Sequence, residues 1–147
     1  MYNRILLPIG ASHDLNVAAA KHALSLADPL DAKVYIMHVL DSRKKQREYE
    51  KGTIPSDVIE KMKDAVAGLD AGDNVQYLTQ WGDPAKTICR IVNELDCDLI
   101  VMPTHGRTGL SRVTIGSVTE ETVRKASVPV VTMTQETNGP PEIGTSD

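Results

Sequence analysis

The chain has 147 residues and a mass of 16.0 kDa, the size of one ordinary domain with a sizeable core. Hydrophobic residues at 41% and charged residues at 24% are a globular mixture that argues against disorder. A net charge of −4 and a pI near 5.5 disfavour non-specific binding to nucleic acid or anionic membrane, so an anionic ligand must be held by local geometry.

The N-terminus, Met1-Tyr2-Asn3-Arg4, leads straight into a strand without a signal-peptide core. No apolar run approaches the roughly 20 residues of a membrane span. A cytoplasmic location is expected. Aromatic residues make up only 3% and Phe is absent, so the core must be aliphatic, which suits parallel strands covered on both faces. In chain order, Ile5–Ile9 reads as a first strand and Val17, Ala20, Leu24 and Ala27 as the inner stripe of a helix. Ala32–Leu40 reads as a second strand, in which His38 is expected at a sheet edge. The mixed-charge stretch 41–55 reads as a solvated connection or an extra helical turn, with a docking surface as the alternative. Val58, Met62, Ala65, Val66 and Leu69 form the next helical stripe, and Val75–Trp81 a third strand with Trp81 as a packing residue.

Asp83 then reads as an N-cap with Pro84 at the first helical position, opening a helix whose stripe is Ile88, Ile91, Val92 and Leu95. Asp98–Met102 is a continuously apolar fourth strand. The last helix starts at Ser117, with Glu120 at capping-box spacing and Val118, Val123 and Ala126 as its inner face. Pro129–Met133 is the fifth strand, and 135–147 reads as a disordered tail. Cys89 and Cys97 read as buried, reduced thiols. Strands alternating with helices mean βαβ units, and hence a single doubly wound α/β domain over 1–134 with a five-stranded parallel sheet.

The segment that carries chemistry joins the fourth strand to the fourth helix, from Met102 to Ser117. It is longer than the usual connection of about 2–6 residues. Its glycines at 106, 109 and 116 permit unusual dihedrals and close approach of a ligand to the backbone. It delivers Ser117 to a helix start, where free N–H groups favour an anion. Thr104, Thr108, Ser111, Thr114, Ser117 and Thr119 add hydroxyls, and Arg107 and Arg112 add positive charge. The pattern is neither GxxxxGK[ST] nor GxGxxG. From the residues alone it is a phosphate cradle or a loop whose glycines serve only turns. Leu7-Pro8-Ile9-Gly10-Ala11-Ser12 ends the first strand in a similar way. If the first and fourth strands are neighbours, both ends open into one crevice. The other common strand order would place the first strand beside the third.

Gly106, nine intervening residues, then Gly116-Ser117, with Gly116-Ser117-Val118-Thr119-Glu120 and Val128-Pro129-Val130-Val131 beyond, resemble the universal stress protein family over residues 1 to about 134. The ATP-binding members' signature is G-x2-G-x9-G-[ST]. The resemblance implies an adenine nucleotide alpha hydrolase-like fold with strand order 3-2-1-4-5, and a homodimer paired through the fifth strands. It implies ATP as ligand, with Mg2+ or Mn2+ bridging the phosphates rather than sitting in a protein cage. By similarity Pro8, Ile9 and Gly10 flank the nucleoside and Val39 contacts adenine. Met102, Thr104, His105, Gly106, Arg107, Thr108, Gly109, Arg112, Gly116, Ser117, Val118 and Thr119 surround ribose and phosphates. This chain departs from the family at two positions. Pro103 replaces the signature's first glycine and removes an N–H, and Gly10 replaces an acidic residue of the nucleoside side.

His105 is tempting as a general base, but no carboxylate is placed to orient it, so a loop-packing role is the simpler reading. His13 and His22 fit no ligand spacing, and no catalytic triad, carboxylate pair or zinc pattern is present. The expected function is therefore an ATP-binding, dimeric regulatory module acting on a partner such as a membrane transporter or a metabolic protein. The alternatives are a stress scaffold that binds no nucleotide, and a slow ATPase or autophosphorylating enzyme.

Overall fold

The first and fourth strands are apolar in continuous runs, and the computed structural model, which describes residues 2–41, 56–104 and 116–134, shows why. The elements are β1 (Arg4–Pro8), α1 (His13–Leu26), β2 (Lys33–Leu40), α2 (Ser56–Val66), β3 (Val75–Trp81), α3 (Pro84–Glu94), β4 (Leu99–Pro103), α4 (Ser117–Lys125) and β5 (Val130–Met133). All pairings are parallel and the strand order is β3-β2-β1-β4-β5. Successive strand residues point to opposite faces. Ile5 and Leu7, Val34 and Ile36, and Leu99 and Val101 join the core under α1 and α2. Leu6, Tyr35 and Met37, and Ile100 and Met102 join the core under α3. Burial on both sides leaves no polar alternation in β1 and β4, as a doubly wound sheet requires.

Strand limits differ from expectation by a residue or so. β1 begins one residue earlier at Arg4 and β4 runs one residue later, from Leu99 to Pro103, and Ile9 lies just past β1 while its N–H still donates to Met37 O at 2.9 Å. His38 is not at a sheet edge, because β2 lies between β1 and β3. Trp81 packs half-buried on the core. The turn after it needs glycine: Gly82 has φ +152°, and a Cβ there would sit 2.7 Å from Thr87 Oγ1. Cys97 is buried, whereas Cys89 is only partly so, and both are free thiols.

The α2 and α3 stripes lie where the periodicity puts them except at their last residues: Leu69 falls beyond the end of α2 and Leu95 is the C-cap of α3. Asp83 caps α3 by accepting from Lys86 N at 3.2 Å, with Pro84 first in the helix. Two inner faces differ from expectation. On α1 the buried residues are Leu15, Asn16, Ala19, Ala20 and Ala23, while Val17 and Leu24 flank them and Ala27 is already the C-cap. Alanines let the helix lie close to the sheet, so the larger apolar residues point sideways. On α4 the buried residues are Thr119 and Thr122, and Val123 is 52% exposed. Thr122 satisfies its hydroxyl on Val118 O at 2.7 Å, which lets a polar side chain stand inside. The N-cap of α4 is Gly116, not Ser117, and no side chain caps it. The stretch 42–55, the loop 105–115 and the tail 135–147 lie outside the described residues.

Candidate functional site

Beyond the carboxyl ends of β1, β2 and β4 the structure opens a crevice of about 300 Å³. It sits where β1 has neighbours wound in opposite directions, the position at which open α/β sheets bind ligands. Of the residues singled out in the sequence, Pro8 lines it from β1, Ile9 and Gly10 from the turn after β1, Val39 from β2, Met102 from β4, and Val118 and Thr119 from α4. Thr104 is buried behind this wall, where both its N–H (2.8 Å) and its hydroxyl (3.0 Å) donate to Met133 O. Gly116 holds the N-cap of α4 and Ser117 is exposed at its first position. Gly116 adopts φ −63°, ψ 156°, an extended conformation open to any residue, so close approach rather than backbone strain is what glycine can serve there. His105, Gly106, Arg107, Thr108, Gly109 and Arg112 lie outside the described residues.

Two backbone features follow from the sheet. In a parallel ladder the N–H and C=O of one residue face the same neighbour, and the next residue's face the other. Ile9 N–H closes the β1–β2 ladder on Met37 O, and Gly82 N–H reaches Leu40 O on the β3 side. The alternation therefore turns the N–H and C=O of Val39 toward the β1 side, where the ladder has ended and the crevice begins. Pro103 lies on the crevice wall and brings no N–H to it.

Thr119 was singled out in the sequence but its burial was not legible there, and Asn16 was not singled out. Thr119 is 1% exposed, and its Oγ1 has no hydrogen-bond partner among the described residues although it lies in the crevice wall at the N-terminal turn of α4. A buried hydroxyl without a partner is disfavoured by about 1–3 kcal/mol. Asn16, wholly buried on α1, holds Gly10 through both backbone groups: Gly10 N–H donates to Oδ1 at 2.8 Å and Nδ2 donates to Gly10 O at 2.9 Å. Lys61 of α2 reaches the opposite wall, and Pro84 and Ile88 of α3 complete its apolar lining. The signal for Thr119 was the hydroxyl run at the helix start. For Asn16 it was only a polar residue inside an apolar stripe, and Lys61 had no signal at all.

Titration adds little to the site. Burial, with Asp98 next in effect, pushes the Cys97 thiol up to about 11, and burial also raises Cys89. Both lie outside the crevice lining. Among the described residues no group of three or more His, Cys, Asp or Glu side chains could hold a metal ion, and no helix is long and apolar enough to cross a membrane.

Comparison with known proteins is decisive for the family. The profile of the universal stress protein family matches residues 1–133. The chain belongs to this family. Universal stress protein MJ0531 of Methanocaldococcus jannaschii is 32% identical over 142 residues, covering 89% of this chain and 81% of its own. The solved structure of MJ0577, a universal stress protein from the same organism, superposes with a TM-score of 0.76 at 27% identity, covering 94% of this chain and 99% of that one. A universal stress protein from Archaeoglobus fulgidus in complex with dAMP shares the fold, with a TM-score of 0.53 at 19% identity over 89% of this chain and 97% of its own. In this universal stress protein the strand order, implied by resemblance alone at the sequence level, is the one observed. The two departures, Gly10 and Pro103, both stand in the crevice wall.

Proposed function

We propose that the crevice binds an adenine nucleotide, ATP with its Mg2+ or Mn2+, and that the protein acts as a nucleotide-dependent regulatory module rather than an efficient enzyme. The observation that carries the reading is the buried hydroxyl of Thr119, without a partner among the described residues, in the crevice wall at the N-terminus of α4. A hydroxyl and helix N–H groups at one point suit a ligand oxygen carrying negative charge.

The nucleoside takes the other end. Pro8, Ile9 and Met102 give it apolar walls, and the Val39 N–H and C=O offer a donor and an acceptor side by side, the pattern complementary to the edge of adenine. The glycines and arginines at 106, 107, 109 and 112, with Thr108, Gly116 and Ser117, take the phosphates on the sequence argument. The ion is held through phosphate oxygens and water, the usual mode for magnesium. An adenine nucleotide is also what the Archaeoglobus fulgidus protein of the same fold is solved with.

Regulation follows from what the crevice lacks on the sequence reading: donors are present without an oriented base, so turnover is negligible. The proposed unit is the domain 1–134, working in the cytoplasm as a homodimer paired at the free edge of β5 and acting on a protein partner such as a transporter. A four-residue edge, apolar but for Thr132 and without Lys, invites pairing with a second copy. The test is to denature the purified full chain and assay the supernatant by mass spectrometry, then titrate nucleotide-free protein with Mg-ATP by calorimetry. Co-purifying adenine nucleotide or saturable binding is expected. No binding at millimolar Mg-ATP would refute the reading.

A further inference from the structure

A buried side-chain amide is disfavoured by several kcal/mol unless its hydrogen bonds are made inside the protein. Asn16 is 0% exposed, in the first turn of a helix whose other inner residues are Leu15 and alanines. Nothing about packing α1 on the sheet calls for an amide there. Its two bonds go to the N–H and C=O of a single residue, Gly10, in the crevice wall. Helical side chains lean toward the N-terminus, which is how position 16 reaches back over the turn to position 10.

We propose that Asn16 is a positioning residue for the nucleoside wall of the crevice, locking the turn from Pro8 to Ala11 in its ligand-ready shape; this rests on the adenine-nucleotide reading above. The turn is closed by three further bonds. Ile9 N–H donates to Met37 O at 2.9 Å, Leu15 N–H to Ser12 Oγ at 3.3 Å, and Asn16 N–H to Ser12 O at 3.0 Å. Among the described residues, Asn16 alone holds Gly10. Only an amide of this length fits the task. Aspartate can accept from Gly10 N–H but not donate to Gly10 O, leucine does neither, and glutamine is longer by a methylene. With both backbone groups of Gly10 engaged and no side chain on it, this wall meets a ligand by shape. Its contribution to affinity lies in being preformed, since ordering a loop on binding costs affinity. The role is confined to the nucleoside end, because phosphates are assigned to the α4 side of the crevice.

The experiment has two parts on the nucleotide-free full chain. Amide exchange followed by NMR reads the clamp without ligand. Gly10 N–H is expected to be protected in the wild type, and in Asn16→Leu to exchange about tenfold faster or more while Ile9 N–H keeps its protection. Calorimetry with adenosine and with inorganic tripolyphosphate reads the role. In Asn16→Leu, and in Asn16→Asp as a second variant, adenosine affinity is expected to fall about tenfold while tripolyphosphate affinity stays within about twofold. An unprotected Gly10 amide in the wild type overturns the proposal even if neither variant folds. So does an equal loss for both ligands, the mark of general damage, or full adenosine affinity in a variant whose Gly10 amide has been released. A wild type that binds Mg-ATP but no adenosine overturns this role alone; one that binds neither overturns the nucleotide reading, and the exchange pattern then tells whether the clamp itself exists.

Discussion

Replacing Thr119 with valine exchanges one buried oxygen for a methyl group of similar size. Thr119 Oγ1 has no partner among the described residues and the side chain is 1% exposed, so none of those residues replaces the hydrogen bond that burial takes from the hydroxyl. The penalty for such a group is about 1–3 kcal/mol. Valine relieves it without opening a cavity. Taking about 1–2 kcal/mol and 2–4 °C per kcal/mol for a domain of this size, Thr119→Val raises the ligand-free melting temperature by about 2–8 °C. Nucleotide binding moves the other way. If the hydroxyl gains its hydrogen bond from the nucleotide, losing a bond of about 1 kcal/mol weakens Kd about fivefold. At a Mg-ATP concentration of about 100 times the wild-type Kd, ligand stabilisation then falls from about 2.7 to about 1.8 kcal/mol. Differential scanning calorimetry of both proteins, with and without Mg-ATP, measures both terms. The reasoning is refuted if the ligand-free variant melts lower than the wild type, or if its shift with Mg-ATP is undiminished.

Gly116→Val is expected to leave a folded domain, because the extended conformation at 116 accepts any residue, while reducing Mg-ATP affinity more than tenfold by blocking approach to the α4 N-terminus; circular dichroism and calorimetry check the two halves. Ser117→Ala removes an exposed hydroxyl that caps nothing, so denaturant stability should stay within about 0.5 kcal/mol while ATP affinity falls mildly. For the proposed dimer the informative proline is at Thr132 rather than Val131. The bonds Ile100 N–H to Pro129 O and Thr104 N–H to Met133 O place 129, 131 and 133 on the β4 side, so Thr132 presents its N–H to the free edge. Light scattering at tens of micromolar should show a dimeric wild type and a monomeric, folded Thr132→Pro, and a monomeric wild type would remove the dimer. Cys97, with its thiol raised from 9.0 to about 11 in the folded state, favours the protonated form there. Its contribution is complete below the unfolded pKa and is lost as pH rises through the folded value. Urea stability should therefore decline between about pH 9 and 11, and the decline should shrink in Cys97→Ala.

Much of this fold was legible because burial on both faces of a parallel sheet writes itself as unbroken aliphatic runs. Ile5-Leu6-Leu7 and Leu99-Ile100-Val101-Met102 have no other economical reading, and Asp83-Pro84 marks a helix start through chemistry that is wholly local. The crevice was partly legible for the same reason, since proline and glycine at strand ends are local signals and Val118-Thr119 follows a recognisable helix start. What depended on tertiary structure was anything set by a distant partner. The inner face of α1 rests on alanines, which are too small to outweigh Val17 and Leu24 in a periodicity, and only contact with the sheet selects them. The face of β5 that carries each N–H depends on its register with β4, which no residue in β5 encodes. Thr119 and Asn16 are ordinary polar residues as letters. Burial leaves one of them without a partner among the described residues, and the folding of α1 back over β1 brings the other to Gly10; the meaning of a polar group is decided by what surrounds it.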